Sequence, residues 1–148
     1  MRVRGVDRLA RHCLVAVCLC GLCGCVSTPI TADRIEHAIE ATFANLVRVQ
    51  VARLNLRPMA VFDLDAVASC RRPAGSDVGA GDWTCRIRWR GPDRQRLFDT
   101  FDLVVATDGC YTATAEGDQL GRPTLKATDG REVRNLLYAF EGCFDTVR

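Results

Sequence analysis

Trp83-Thr84-Cys85-Arg86-Ile87-Arg88-Trp89-Arg90 alternates apolar and polar side chains without a break. A period of two puts Trp83, Cys85, Ile87 and Trp89 on one face and the arginines on the other, as in a half-buried strand of an antiparallel sheet. Gly91-Pro92-Asp93 supplies a turn, after which Phe101, Leu103 and Val105 alternate with Thr100 and Asp102. The two strands read as a hairpin, and the expected register sets Ile87 opposite Phe101 and Arg86 opposite Asp102, a cross-strand charge pair of ~0.2 to 1 kcal/mol. Asp108-Gly109 then turns the chain into a third strand over Cys110 to Ala115, because Asp-Gly supplies the positive backbone angles of a tight hairpin. A two-residue turn would face Cys110 and Thr112 inward, whereas Tyr111 and Ala113 look like the core residues. A three-residue loop with a glycine bulge reconciles the two.

Upstream, Thr31 is placed to cap a helix, with Asp33 in the first turn where the dipole favours an anion and no proline from there to Pro58. Ile35, Ile39, Phe43, Leu46, Val47 and Leu54 recur at three- and four-residue steps and form one apolar stripe. Val49 and Val51 fit that stripe less well, so the helix is expected to loosen near Arg48. His37, between Glu36 and Glu40, reads as a solvated histidine, since zinc sites recruit three or four strong ligands; no metal and no cofactor are expected. Downstream, residues 131–144 fit either a helical stripe of Val133, Leu136, Leu137 and Phe140 or a final strand with Tyr138. Gly142 suits a helix stop, and Leu137 to Phe144 is expected to pack on the sheet, pinned by Cys143. The fold class is therefore α+β, one N-terminal helix on an antiparallel sheet of three to five strands.

The first 24 residues have a different composition. Arg2, Arg4, Arg8 and Arg11 precede an apolar run from Leu14 to Cys23, the order of an export signal, and too short for the ~20 apolar residues that span a bilayer. The run ends in Leu22-Cys23-Gly24-Cys25, which resembles the lipobox of bacterial lipoproteins. The resemblance implies removal of residues 1–24 as a signal peptide and acylation of Cys25. It further implies attachment to the extracytoplasmic side of the cell membrane, a lipid-anchored tether over 25–31, and one domain over 32–148. Two or more acyl chains on one cysteine turn reversible binding into stable anchoring. Beyond this motif the chain resembles the small envelope lipoproteins of high-GC bacteria, a likeness that implies an address and no activity.

Export changes the reading of charge and of cysteine. Of 20 basic and 18 acidic residues, four arginines and Asp7 fall within 1–24, which leaves 16 basic against 17 acidic. A near-neutral domain argues against nucleic acid as a partner, which would require a basic stripe and a high domain pI. Cys70, Cys85, Cys110 and Cys143 are an even set in an exported chain, which argues for two disulfides. Of the three possible pairings, Cys70 with Cys85 and Cys110 with Cys143 are preferred. The first pair brackets a turn-rich stretch and the second ties the C-terminal segment to a central strand. Loop-closure entropy gives these bonds upper values of ~3 and ~3.7 kcal/mol.

Three constellations bear on chemistry. Ala60-Val61-Phe62-Asp63-Leu64-Asp65 resembles the first motif of haloacid-dehalogenase-type phosphatases. That resemblance implies Asp63 as nucleophile and magnesium ligand and Asp65 as acid/base; Ala66-Val67 stands where the family has Gly-Thr. Arg86, Arg88, Arg90, Arg94 and Arg96 lie within eleven residues of one hairpin, and guanidinium forks suit phosphate and carboxylate oxygens. Asp99 and Asp102 would partly neutralise them. No Gly-x-Ser-x-Gly elbow is present, and a single histidine beyond residues 1–24, with paired cysteines, leaves no triad. The expectation is a non-enzymatic envelope lipoprotein that binds a membrane-proximal protein or an anionic envelope component through the sheet, the arginine-rich hairpin or the turn-rich loops. The alternative is a carrier of a small apolar ligand in a pocket lined by Phe43, Trp83 and Phe101, and the phosphatase comes third.

Overall fold

The computed structural model describes residues 28–146 apart from 74, 75 and 92. Residues 1–24, expected to be an export signal, and Cys25 of the lipobox-like stretch lie outside the described residues.

Helix α1 spans Ala32–Arg53. Thr31 caps it from an extended conformation, its Oγ1 accepting from Arg34 N at 3.4 Å, which satisfies one of the orphan donors of the first turn. The helix does not loosen at Arg48. Ile35, Ile39, Phe43, Val47 and Val51 form one row at steps of four, all buried, so Val51 extends the inner stripe and holds the last turns down. Leu54, expected on the stripe, is instead the C-cap.

After a 3-10 turn over Val61–Leu64, the strands are β1 (Val67–Arg71), β2 (Gly81–Arg90), β3 (Arg96–Val105), β4 (Cys110–Ala115), β5 (Thr124–Lys126), β6 (Glu132–Arg134) and β7 (Ala139–Cys143). Five of them form one antiparallel sheet in the order β1-β2-β3-β4-β7, while β5 and β6 pair as a separate small ribbon. This is the α+β class expected, at the upper end of the strand count. The inner face carries Trp83, Cys85, Ile87 and Trp89 from β2, Phe101, Leu103 and Val105 from β3, and Tyr111 and Ala113 from β4. Phe43 of α1 sits among them, its ring centroid 4.9 Å from Trp89 and 5.9 Å from Phe101. The outer face is covered by no element among the described residues.

The β2–β3 register differs from the expected one by two residues. Ile87 lies opposite Asp99 and Arg86 opposite Thr100, while Phe101 faces Cys85 and Asp102 faces Thr84. The cause is the loop. Gly91 N donates to Gln95 O at 2.9 Å and Arg94 N to Gly91 O at 2.9 Å, with Arg94 at φ 58°. The connection closes in residues 91–95, and Arg96 and Leu97 join the strand. A shift of two preserves the faces, so the core is as read while the partners change. Arg86 thus loses its carboxylate and stacks on Phe98, with its guanidinium carbon 4.1 Å from the ring centroid.

The β3–β4 turn adopts the bulged loop. Gly109 sits at φ 85°, its N–H donates to Ala106 O, and Ala106 N donates to Cys110 O at 2.8 Å, which turns Tyr111 and Ala113 inward. The tail is strand: Val133 belongs to β6 and Phe140 to β7. Gly142 is no helix stop; it lies opposite Tyr111, where a Cβ would stand 2.5 Å from the phenol oxygen.

Both expected disulfides are present, Cys70–Cys85 and Cys110–Cys143, each joining direct register partners on neighbouring strands. Cys70 and Cys85 are buried on the inner face. Cys110 and Cys143 emerge on the outer one.

Candidate functional site

The five arginines of the hairpin are brought together at one end of the sheet. Arg86 and Arg88 project from the outer face of β2, Arg90 and Arg96 close its last rung as register partners, and Arg94 stands in the loop between them. Four of the five are exposed and Arg90 is half-buried. Arg90 donates from Nε and Nη2 to Asp65 Oδ2 at 3.2 and 3.1 Å. Among the described residues it is the only one of the five with a carboxylate partner.

Asp99 does not neutralise this cluster. It occupies an inward position of β3, is 2% exposed, and accepts from Thr100 N at 2.8 Å and Leu120 N at 3.4 Å. There it anchors the loop after β4, and Gly117 passes so close that a Cβ would collide with the carboxylate. The alternation from Phe101 back through Asp99 carried the signal for this placement; its charge had suggested the surface. Asp102 sits on the outer face, two rungs further from the loop than Thr100. It hydrogen-bonds the Glu116 carboxyl, whose pKa is raised by that contact and by the neighbouring negative charge.

The chain between α1 and β1 returns against the hairpin end and adds residues that sequence reasoning missed. Arg57, Pro58, Met59, Asp63 and Asp65 meet Arg90, Gly91 and Arg94 around an open cleft of about 680 Å³. Arg57 is exposed and stands beside a proline with no pattern around it to announce a role. The cleft therefore combines three guanidinium groups with two carboxylates, one pair of which is already joined. Arginine in this setting binds planar oxyanions through two parallel hydrogen bonds.

Asp63 and Asp65 lie on and just after the 3-10 turn, with Asp65 at φ 45° and engaged by Arg90. The phosphatase motif requires its first aspartate at the end of a parallel strand, and every strand pair of the structure is antiparallel. His37 is exposed, with Nδ1 2.7 Å from Asp33 O; that contact and the Asp33 charge raise its pKa. Among the described residues no three His, Cys, Asp or Glu side chains converge as metal ligands, and no helix is long and apolar enough to cross a membrane.

A second arrangement was also invisible in the sequence. Glu40 Oε1 accepts from Ala68 N at 2.8 Å and Glu36 Oε1 from Cys70 N at 2.7 Å. Two carboxylates one helical turn apart thus take up the outward N–H groups of the edge strand β1.

Comparison with known proteins finds no similar protein: no family model, no curated protein and no solved structure matches the chain.

Proposed function

We propose that this is a non-enzymatic cell-envelope lipoprotein, held to the membrane through acylated Cys25, that binds a membrane-proximal protein or an anionic envelope component with its arginine-rich hairpin end. The observation that carries the reading is the set of unpaired guanidinium groups at that end, Arg86, Arg88, Arg94 and Arg96, exposed together in a domain of near-zero balance. Two cross-strand disulfides fit an oxidising compartment, in line with export. The carrier reading loses support from the packing, since Phe43, Trp83 and Phe101 are all buried, and Phe43 packs directly on Phe101, Trp89 and Phe140.

The test is in two parts. The intact mass of membrane-fraction protein should begin at Cys25 with added acyl chains, and a Cys25→Ala variant should appear in the soluble fraction; an unmodified chain beginning at Met1 overturns the anchoring. Crosslinking in intact cells should then capture a partner that is lost when Arg86, Arg88, Arg94 and Arg96 are changed together to glutamine, with the domain still folded by circular dichroism. Equal capture by that variant removes the arginine end from the function.

A further inference from the structure

The two ends of the domain differ in charge and in relation to the chain termini. Thr28 N donates to Thr146 O at 2.6 Å, Ala32 N to Asp77 O at 3.3 Å, and Gly79 N to Ile30 O at 2.8 Å. Thr31 bridges Val78, and Ile30 is buried. The chain therefore enters the domain beside the start of β2, and Thr28 lies only three residues from Cys25 along the chain, a reach of at most ~10 Å. From that entry β2 runs ten residues to Arg90, ~30 Å at the rise of a strand. Helix α1 runs 22 residues the same way, ~33 Å, as the contacts of Glu36 with Cys70 and then Glu40 with Ala68 require. The entry end carries Asp33, Asp77, Asp82, Asp108 and Asp145 with Arg34, Arg71 and Arg72. The far end carries the arginine cleft.

We infer that the cleft of Arg57, Arg90 and Arg94 faces away from the anchoring membrane and binds a single carboxylate group of an acidic protein segment in the aqueous space beyond it. This rests on the lipoprotein reading and narrows its partner. With the anchor at the entry end, the cleft of an upright domain stands ~30 Å from the bilayer, beyond the Debye length of ~8 Å over which surface charge acts at physiological salt. The charge of the cleft selects the ligand. Arg90 is joined to Asp65, which leaves Arg57 and Arg94 against Asp63, a net single positive charge. One carboxylate matches it, whereas a doubly charged phosphate would be set against Asp63.

The experiment uses the acylated full-length protein reconstituted in phosphatidylcholine vesicles and in phosphatidylglycerol-rich vesicles. It measures the rate at which an arginine-specific dicarbonyl reagent modifies each residue, read by peptide mass spectrometry with exposed Arg48 as internal reference. Arg57 and Arg94 should react at rates within about twofold in the two vesicle types. Poly-glutamate should slow both by roughly fivefold or more, inorganic tripolyphosphate should slow them less, and Asp63→Asn should raise protection by tripolyphosphate. Slowing by phosphatidylglycerol alone would place the cleft on the anchoring membrane and overturn the inference while leaving the anchoring intact. Indifference to poly-glutamate, or stronger protection by tripolyphosphate, overturns the carboxylate assignment. A chain that carries no acyl group and fails to float with vesicles overturns the anchoring itself, and with it the orientation.

Discussion

Tyr111 shows how one side chain joins helix to sheet. Its ring is buried and its hydroxyl reaches Thr42 Oγ1 at 3.0 Å and Ala38 O at 3.3 Å, while Gly142 opposite it leaves the space the phenol needs. Burial raises the Tyr111 pKa above its usual 10.0, partly opposed by the Thr42 bond. The neutral phenol is favoured in the fold, so its contribution is complete below the unfolded-state pKa and is lost as pH rises through the folded one. Thermal unfolding should therefore give a Tm that falls more steeply in the parent than in Tyr111→Phe as pH rises above about 10. The variant itself should cost about 1 kcal/mol at neutral pH for the lost hydrogen bond. An equal fall in both proteins would assign the alkaline loss to other groups. Gly142 was legible as a glycine that mattered, but the sequence offers two reasons for such a residue, a helix stop and a close approach, and only the partner strand decides between them.

At the scale of elements, α1 covers the inner face and also closes an edge. An edge strand presents unpaired N–H groups that template pairing with another chain; here Glu36 and Glu40 occupy those of β1. Replacing both with alanine should destabilise the domain by about 1–3 kcal/mol, the range for part-buried hydrogen bonds to a charged acceptor. The diagnostic sign is local: hydrogen exchange should accelerate at the Ala68 and Cys70 amides more than at the Ile87 and Phe101 amides. Uniform acceleration would mean that the carboxylates act on global stability and not on the edge. Alternation made the strands and their faces legible, and spacing made the inner row of α1 legible. The β2–β3 register was not, because it depends on how residues 91–95 close, with Arg94 in a left-handed conformation that no local residue preference dictates. The helix carboxylates were missed for a related reason: Glu at steps of four on an outer flank looks the same whether it meets water or a strand edge. Half of the candidate site, the arginines of one hairpin, was contiguous in sequence and could be read; Arg57 was assembled from a distant segment and could not.

Considered whole, the molecule is stapled on both faces of one sheet. Cys70–Cys85 lies under the helix and Cys110–Cys143 lies on the open side, with Cys143 exposed. Access governs thiol exchange, so graded reduction should open Cys110–Cys143 first and leave Cys70–Cys85 until the domain unfolds. Alkylation and mass spectrometry at successive dithiothreitol concentrations would follow this order, and simultaneous opening of both bonds under native conditions would contradict it. Loss of the outer bond frees a loop with a sequence separation of 33, which by chain entropy removes up to ~3.7 kcal/mol.

The meeting of the two chain ends has a mechanical consequence. A pull on the N-terminal residues arrives at Thr28, whose amide is bonded to Thr146, and passes into the segment just after β7. Load that would peel that last strand from the sheet meets Cys143 covalently joined to Cys110 within three residues, so the force is handed to β4, the neighbouring strand, before the ladder of β4 and β7 can unzip. The outer disulfide thus acts as a strain relief at the point where the two chain ends meet. A reduced molecule stretched in an optical trap should give way by losing β7 first, at a lower force than the oxidised one.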